Sequence, residues 1–376
     1  MKACLQVWKQ MHLNLPNKIG VCCIKTFSDG QVNYEEPDDN FFMDVANRHD
    51  MVEIRKEFLN GEIPSICKNC GNMEEFSSEE ELRERLKSEG VILAETEDGK
   101  ADLTKVNNIN ELCVEFTTVC NFRCSYCAHG NPLYRIKPQA INTDQFLEMF
   151  DRIAKQAALK EITTIGLGEF TMLNGWTTII EHLKNNYQNI KLRVYSNFGK
   201  NFSDDEIKAL ALVDELVVSC DTYDGEVFRR MRSGNLETVL NNIRKVRNLR
   251  AEKNNDYPVI QIAAVINSET IKTLEDFVVA LKRDDVCEKL MLSPMNLPLA
   301  YAKKILLMFV KLIFEDFEHF ENRKRVTLTR PAIAGQIKAS NGSVTLDMTT
   351  KEAEVNRKYH PDREHYNILS LLLVKR

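Results

Sequence analysis

The chain has 376 residues, 43% hydrophobic and 28% charged, a balance that permits a sizeable core and excludes a disordered chain. That length suits one large domain plus a smaller one. The formal net charge of −5 leaves no general footprint for nucleic acid.

Residues 1–75 read as irregular and cysteine-bearing, with no apolar segment of the kind that opens a signal peptide. Residues 76–107 are strongly charged (SSEEELRERLKSEG, ETEDGKADLTK) and read as a linker or helical bridge. From Leu112 the pattern changes. Strands are expected at Leu112–Thr117, Glu161–Gly166, Lys191–Ser196, Glu215–Cys220, Pro258–Ile266 and Lys289–Ser293. Helices are expected at Asp144–Ala158, Gly175–Tyr187, Asp204–Leu212, Glu226–Met231, Leu236–Lys253, Ile271–Arg283 and Ala300–Phe320. The apolar run Ile305–Phe314 contains Lys311 and is too short to span a bilayer, so a cytoplasmic location with no membrane partner is expected. The basic run Asn322–Arg330 (NRKRVTLTR) reads as a solvated helix end and strand before an anion-binding edge. The tail after Pro331 (SVTLD, ILSLLLV) is expected to add a strand and a docking segment.

Strands alternating with helices about six times imply an α/β fold with a parallel sheet and crossover helices. Six units suit a partial or full barrel better than a thin open sheet. The expected organisation is residues 1–75, a bridge at 76–107, a core at 108–300, and residues 301–376 completing that core.

Eleven cysteines in a reducing compartment point to metal binding or catalysis before disulfides. Cys113, Cys220 and Cys287 lie on apolar stretches and read as small buried hydrophobes. The decisive stretch is Glu115–Gly130 (EFTTVCNFRCSYCAHG), which places Cys120, Cys124 and Cys127 in C-x3-C-x2-C spacing just after the first core strand. Parallel α/β sheets carry their chemistry at the carboxyl ends of strands, and thiolates suit iron–sulfur clusters and zinc. A structural zinc wants four ligands. Three cysteines leave one iron of a [4Fe–4S] cluster open to a small molecule. A zinc knuckle is the competing reading.

The three-cysteine loop, with aromatic Tyr126 before its last cysteine, resembles the signature of the radical S-adenosylmethionine superfamily. That resemblance implies a partial (β/α)6 barrel and a [4Fe–4S] cluster whose open iron chelates S-adenosylmethionine. It also implies reductive cleavage to a 5′-deoxyadenosyl radical that takes a hydrogen atom from substrate. Gly166–Phe170 (GLGEF) resembles the family's Gly-Gly-Glu-Pro run, with Leu167 and Phe170 as departures. By that resemblance Gly168 and Glu169 meet the methionine amino group. Asn197 in YSNFG matches the family's ribose-contacting position, with Phe198 in place of the usual Gly. VVSCDTYDG and RRMRSG resemble the family's Ser-x-Asp-Gly…Arg-x-Gly run, which gives Ser219 and Arg232 to the methionine carboxylate and adds Asp221. Asn267 ends the fifth strand. Alone, each satellite motif reads as a turn or cap; their register at successive strand ends gives them weight.

Cys4, Cys22, Cys23, Cys67 and Cys70 form a second group, the last two in GEIPSICKNCG. This region resembles the auxiliary-cluster module called SPASM, or its shorter form twitch, here preceding the barrel in place of following it. The resemblance implies a second, auxiliary [4Fe–4S] cluster with one of Cys22 and Cys23 spare. A zinc ribbon is the alternative. It further implies an electron donor such as flavodoxin or ferredoxin. The substrate is expected to be a small polar or carbohydrate- or nucleotide-like molecule that is oxidised or epimerised, with a peptide as runner-up. For epimerisation Cys220 is a candidate hydrogen donor, weighed against a buried strand cysteine. A non-catalytic iron–sulfur or zinc scaffold is the reading of another class. His129, beside the loop, is expected to face solvent in preference to a cluster sulfide. His12, His49, His182, His319, His360 and His365 lack metal-ligand spacing.

Overall fold

Alternation of apolar and polar side chains sets the architecture. The computed structural model describes residues 1–15, 18–20, 22, 41–68, 72–156, 158–253, 255–294, 297–298, 337–340, 343–346, 365–366 and 371–374. It divides into two units. The first comprises Met1–Val217, Met231–Gly234 and Thr238–Val259; the second comprises Val218–Arg230, Asn235–Glu237 and Ile260–Arg376.

The first unit opens with strands β1 (Gln10–Asn14) and β2 (Lys18–Gly20) and helices α1 (His49–Leu59) and α2 (Glu79–Ser88). A hairpin of β3 (Leu93–Glu95) and β4 (Ala101–Val106) follows. Strands β5 (Glu111–Val114), β6 (Glu161–Thr164), β7 (Lys191–Ser196) and β8 (Glu215–Ser219) then alternate with α3 (Thr143–Gln156), α4 (Trp176–Asn186) and α5 (Asp204–Leu210). The sheet order is β2-β1-β5-β6-β7-β8, with β1, β5, β6 and β7 mutually parallel and β2 antiparallel to β1.

Register gives this sheet two unlike faces. Met11, Leu112, Ile162 and Leu192 form one row across four strands, and Leu13 and Val114 lie in the next; none is more than 2% exposed. The opposite face carries the rows Gln10–Glu111–Glu161–Lys191 and His12–Cys113–Thr163–Arg193. On that face Arg193 pairs with Glu161 (2.6 Å) and Glu215 (2.8 Å), and Lys191 pairs with Glu215 (2.6 Å). Two cations thus meet two carboxylates, which is how charge is tolerated at a nearly buried Glu215.

Local chemistry fixes the helices. Ser203 caps α5 in a capping box with Glu206, and Ser78 caps α2 through the Glu81 N–H. Phe146, Met149, Phe150 and Ile153 of α3 recur at helical spacing and are buried.

The expected irregularity of residues 1–75 gives way to real elements: β1 joins the main sheet, and α1 packs against β4 and the segment that leads into β1. Arg55 of α1 is fully buried and donates to the carbonyls of Val7 (2.8 Å), Ala46 (2.9 Å) and Thr104 (3.0 Å). Burial lowers its pKa to about 10. The Trp8 indole N–H adds a bond to the Leu103 carbonyl at 2.7 Å. These contacts fix the entry of the chain into β1. Likewise residues 76–107 are not a bare bridge: α2 and the hairpin bury Leu82, Leu86, Leu103 and Val106.

In the second unit the end of β8 is followed in sheet order by β9 (Val259–Ile266), β10 (Lys289–Pro294) and β11 (Leu371–Val374). β9 and β10 are parallel and β11 is antiparallel to β10, so the tail does add a strand. Helix α6 (Gly225–Arg232) lies mainly in this unit, α7 (Leu236–Glu252) mainly in the first, and α8 (Leu274–Arg283) precedes β10. The core expectations therefore hold as a mixed α/β fold with parallel strands. The helix at Ala300–Phe320 and the basic run Asn322–Arg330 lie outside the described residues. Among the described residues no helix is long and apolar enough to cross a membrane.

Candidate functional site

The cysteine loop is stapled at its base before any cofactor is considered. Thr118 Oγ1 donates to the Lys137 carbonyl (2.8 Å) and accepts from the Gln139 N–H (2.9 Å), while Thr117 Oγ1 donates to the Gln139 carbonyl (3.0 Å). Buried Phe122 plugs the loop from below. A Cβ at Gly199 or Gly234 would stand 2.1 or 2.2 Å from its ring, so both glycines are required for that plug. Gly130 closes the loop, its N–H bonded to the Cys127 carbonyl at 3.0 Å.

Cys120, Cys124 and Cys127 are all half-buried. Cys120 Sγ accepts from the Phe122 N–H (3.4 Å) and faces the Asn197 Nδ2 (3.7 Å). Burial pushes the Cys120 thiol pKa up; a bound metal would reverse this by ionising the thiol outright. Among the described residues no three His, Cys, Asp or Glu side chains close on a point that a single metal ion could fill.

The turn after β6 presses against this loop. A Cβ at Gly168 would meet the Thr117 carbonyl oxygen at 2.0 Å, so only glycine permits the approach. Glu169 N–H then bonds the Val119 carbonyl at 2.8 Å. The buried Glu169 carboxylate gathers four donors. Oε1 accepts from Thr171 N–H (3.2 Å), Thr171 Oγ1 (2.8 Å) and Ser196 Oγ (2.8 Å), and Oε2 accepts from Asn197 N–H (2.6 Å). Burial raises its pKa while these donors pull it back. Asn197 Nδ2 reaches Asn121 Oδ1 at 2.8 Å as well as Cys120. Phe198, at φ 55°, holds the left-handed conformation expected of the glycine it replaces, its carbonyl accepting from Asn242 Nδ2 at 2.8 Å.

A second segment clasps the loop from α6. Ser125 N–H bonds the Met231 carbonyl (2.8 Å), and Ser233 Oγ donates to the Arg123 carbonyl (3.1 Å). Cys124 S–H points at the Arg232 carbonyl (3.9 Å), and the Arg232 guanidinium stands 5.5 Å from the Tyr126 ring centroid. Thus Tyr126, Gly168, Glu169, Asn197 and Arg232 all contact the cysteine loop, belong to it, or bond to residues that do.

Ser219 and Asp221 belong to the second unit, where fully buried Asp221 accepts from the Val265 N–H at 2.8 Å. Cys220 is fully buried and its S–H is directed at the Thr222 carbonyl, 3.4 Å away. Cys4 is buried, Cys22 and Cys67 are half-buried, and Cys23 and Cys70 lie outside the described residues. The solvent-facing expectation for His129 is corrected: the residue is half-buried, and its Nε2 is buried without a hydrogen-bond partner. Burial lowers its pKa.

Sequence reasoning missed Glu115. Its Oε1 accepts from Leu167 N–H (2.7 Å) and its Oε2 from Leu15 N–H (3.1 Å). A Cβ at Gly166 (φ 148°) would fall 2.5 Å from the Glu115 Cγ. Glu115 therefore ties the Gly-Leu-Gly-Glu turn to the end of β1. Its place on the polar parity of β5, two residues after Cys113, was the available signal.

Residues 114–281 match the family model described as the Radical SAM superfamily. No curated protein matches the chain. Among solved structures, SuiB of Streptococcus suis bound to S-adenosylmethionine is 12% identical, covering 75% of this chain and 61% of that one, with a TM-score of 0.45. Native anSMEcpe with bound AdoMet is 20% identical, covering 56% of this chain and 62% of that one, with a TM-score of 0.44. TYW1 with a lysine-pyruvate adduct bound is 16% identical, covering 65% of this chain and 78% of that one, with a TM-score of 0.36. The chain thus spans about six tenths of the length of the first two structures.

Proposed function

We propose that this chain is a radical S-adenosylmethionine enzyme. The observation that carries the reading is convergence: residues from three sequence-distant motifs bond to, or abut, one loop of three cysteines. The donor set supports a cluster. Three thiols lie on one loop, and backbone and amide N–H groups point at the Cys120 sulfur, as a thiolate ligand needs.

When bound, a [4Fe–4S] cluster would supply one electron to S-adenosylmethionine and so generate the 5′-deoxyadenosyl radical. The protein's part is to bind and orient. Cys120, Cys124 and Cys127 would hold the cluster. Gly168 lets backbone approach the loop, and Glu169, whose Oε2 takes a single protein donor, would receive the ammonium group. Arg232, held beside Tyr126, offers a planar fork to a carboxylate. Asn197 would meet the ribose.

The finer reading has three parts. The substrate is a small polar or carbohydrate- or nucleotide-like molecule, oxidised or epimerised. Cys4, Cys22, Cys23, Cys67 and Cys70 hold an auxiliary cluster, with one of Cys22 and Cys23 spare. A flavodoxin or ferredoxin delivers electrons. Anaerobic reconstitution with iron and sulfide counts tests the metal content: about eight irons per chain support two clusters, and about four support one. Stoichiometric zinc with no sulfide would overturn both.

A further inference from the structure

The polar face of the first unit's sheet is more than a place to hide ion pairs. Its lowest row is Glu111, Glu161 and Lys191, and the charges of Lys191 and Arg193 are matched by Glu161 and Glu215. Above them stand His12, Cys113, Thr163 and Arg193, the last paired with Glu161 and Glu215. By the same parity Asn14, Glu115, Ile165 and Tyr195 come next, and Asn197, which touches the cysteine loop, lies above Tyr195.

Three features of these upper rows call for a ligand. Asn14 Nδ2 is buried and has no hydrogen-bond partner. A donor left so destabilises the fold, and a ligand acceptor would satisfy it. Ile165, directly after a central strand on the same parity, is 36% exposed. His12 is only 4% exposed, and burial alone drives its pKa, to about 4, so the ring stays uncharged at neutral pH. Glu115 is held in place by a backbone N–H on each oxygen.

From this geometry we infer that Asn14 and His12 determine substrate specificity, binding an uncharged, hydroxyl-rich molecule on the polar face below the cysteine loop. The inference rests on the proposed radical chemistry and deepens it by naming a substrate class. Both residues come from β1, outside the stretch 114–281 that matches the family model. A phosphorylated or carboxylated ligand would find no unmatched cation among these rows. A neutral polyol finds an amide donor, an imidazole, and the hydroxyls of Thr163 and Tyr195.

The test uses reconstituted full-length protein with S-adenosylmethionine bound. Saturation-transfer NMR is run against a panel of uncharged monosaccharides and nucleosides, their phosphate esters, and acidic and basic peptides. The expected result is binding of one or more uncharged members, weakened at least tenfold in Asn14→Asp and in His12→Phe. Iron content and melting temperature of each variant separate lost binding from lost folding. If Asn14→Asp fails to fold, His12→Phe and the panel preference of the wild type still decide. Preferential binding of the esters or peptides, no binding by any uncharged member, or unchanged affinity in folded variants would overturn the assignment. Deoxyadenosine formation by the wild type is measured separately. Its absence defeats the radical reading itself, while its presence with any of those binding results defeats only this inference.

Discussion

His12 should leave a readable mark on acid stability. The ring is buried at 4% exposure, and its pKa falls from the ordinary 6.5 to about 4 through desolvation. The folded state therefore binds fewer protons than the unfolded chain between those two values. Stability is fully present above pH 6.5 and is lost as pH falls toward 4. At about 1.4 kcal/mol per pH unit, the displacement corresponds to ~3 kcal/mol. His12→Asn removes the titrating group and keeps a polar side chain. Urea unfolding of both proteins, at matched cofactor loading and at intervals from pH 7 to pH 4, should show the wild type losing ~3 kcal/mol more than the variant. Parallel stability curves would refute the claim that His12 is buried and neutral in the fold.

Other perturbations reach other parts of the account. Gly168→Ala sets a methyl 2.0 Å from the Thr117 carbonyl oxygen and should push the Glu169 turn off the loop. S-adenosylmethionine affinity, read by equilibrium dialysis, should drop at least tenfold, and retained affinity would contradict the close approach. Arg55→Leu abandons the carbonyls of Val7, Ala46 and Thr104 and should cost about 3–5 kcal/mol in chemical denaturation; a loss under 1 kcal/mol would show those carbonyls are rehydrated. Cys67→Ala should lower iron and sulfide by about one cluster and leave the loop cluster's paramagnetic signal in place. Unchanged iron would count against the auxiliary site.

Much of this fold was readable because the core strands carry two signals at once. KLRVYS and VIQIAAVI are bounded by turns, and each precedes an amphipathic helix, so period and length agree. The strand QMHLN failed to register because five mixed residues carry no such redundancy. Its placement comes from register with β5 and from Arg55, neither visible in a local window. The cysteine loop was legible from spacing alone. Glu115 was not, since a lone carboxylate in a strand says nothing of the two backbone N–H groups it will meet. His129 shows the same limit: a loop residue reads as exposed until the chain folds over it.

The most direct test is to reduce reconstituted protein with dithionite in the presence of S-adenosylmethionine and to quantify 5′-deoxyadenosine by mass spectrometry, with Cys124→Ala beside it. Deoxyadenosine from the wild type and none from the variant is the predicted outcome. Equal yields from the two, or none from a wild type that carries its full iron and sulfide, would contradict the central claim that this loop cleaves the cofactor.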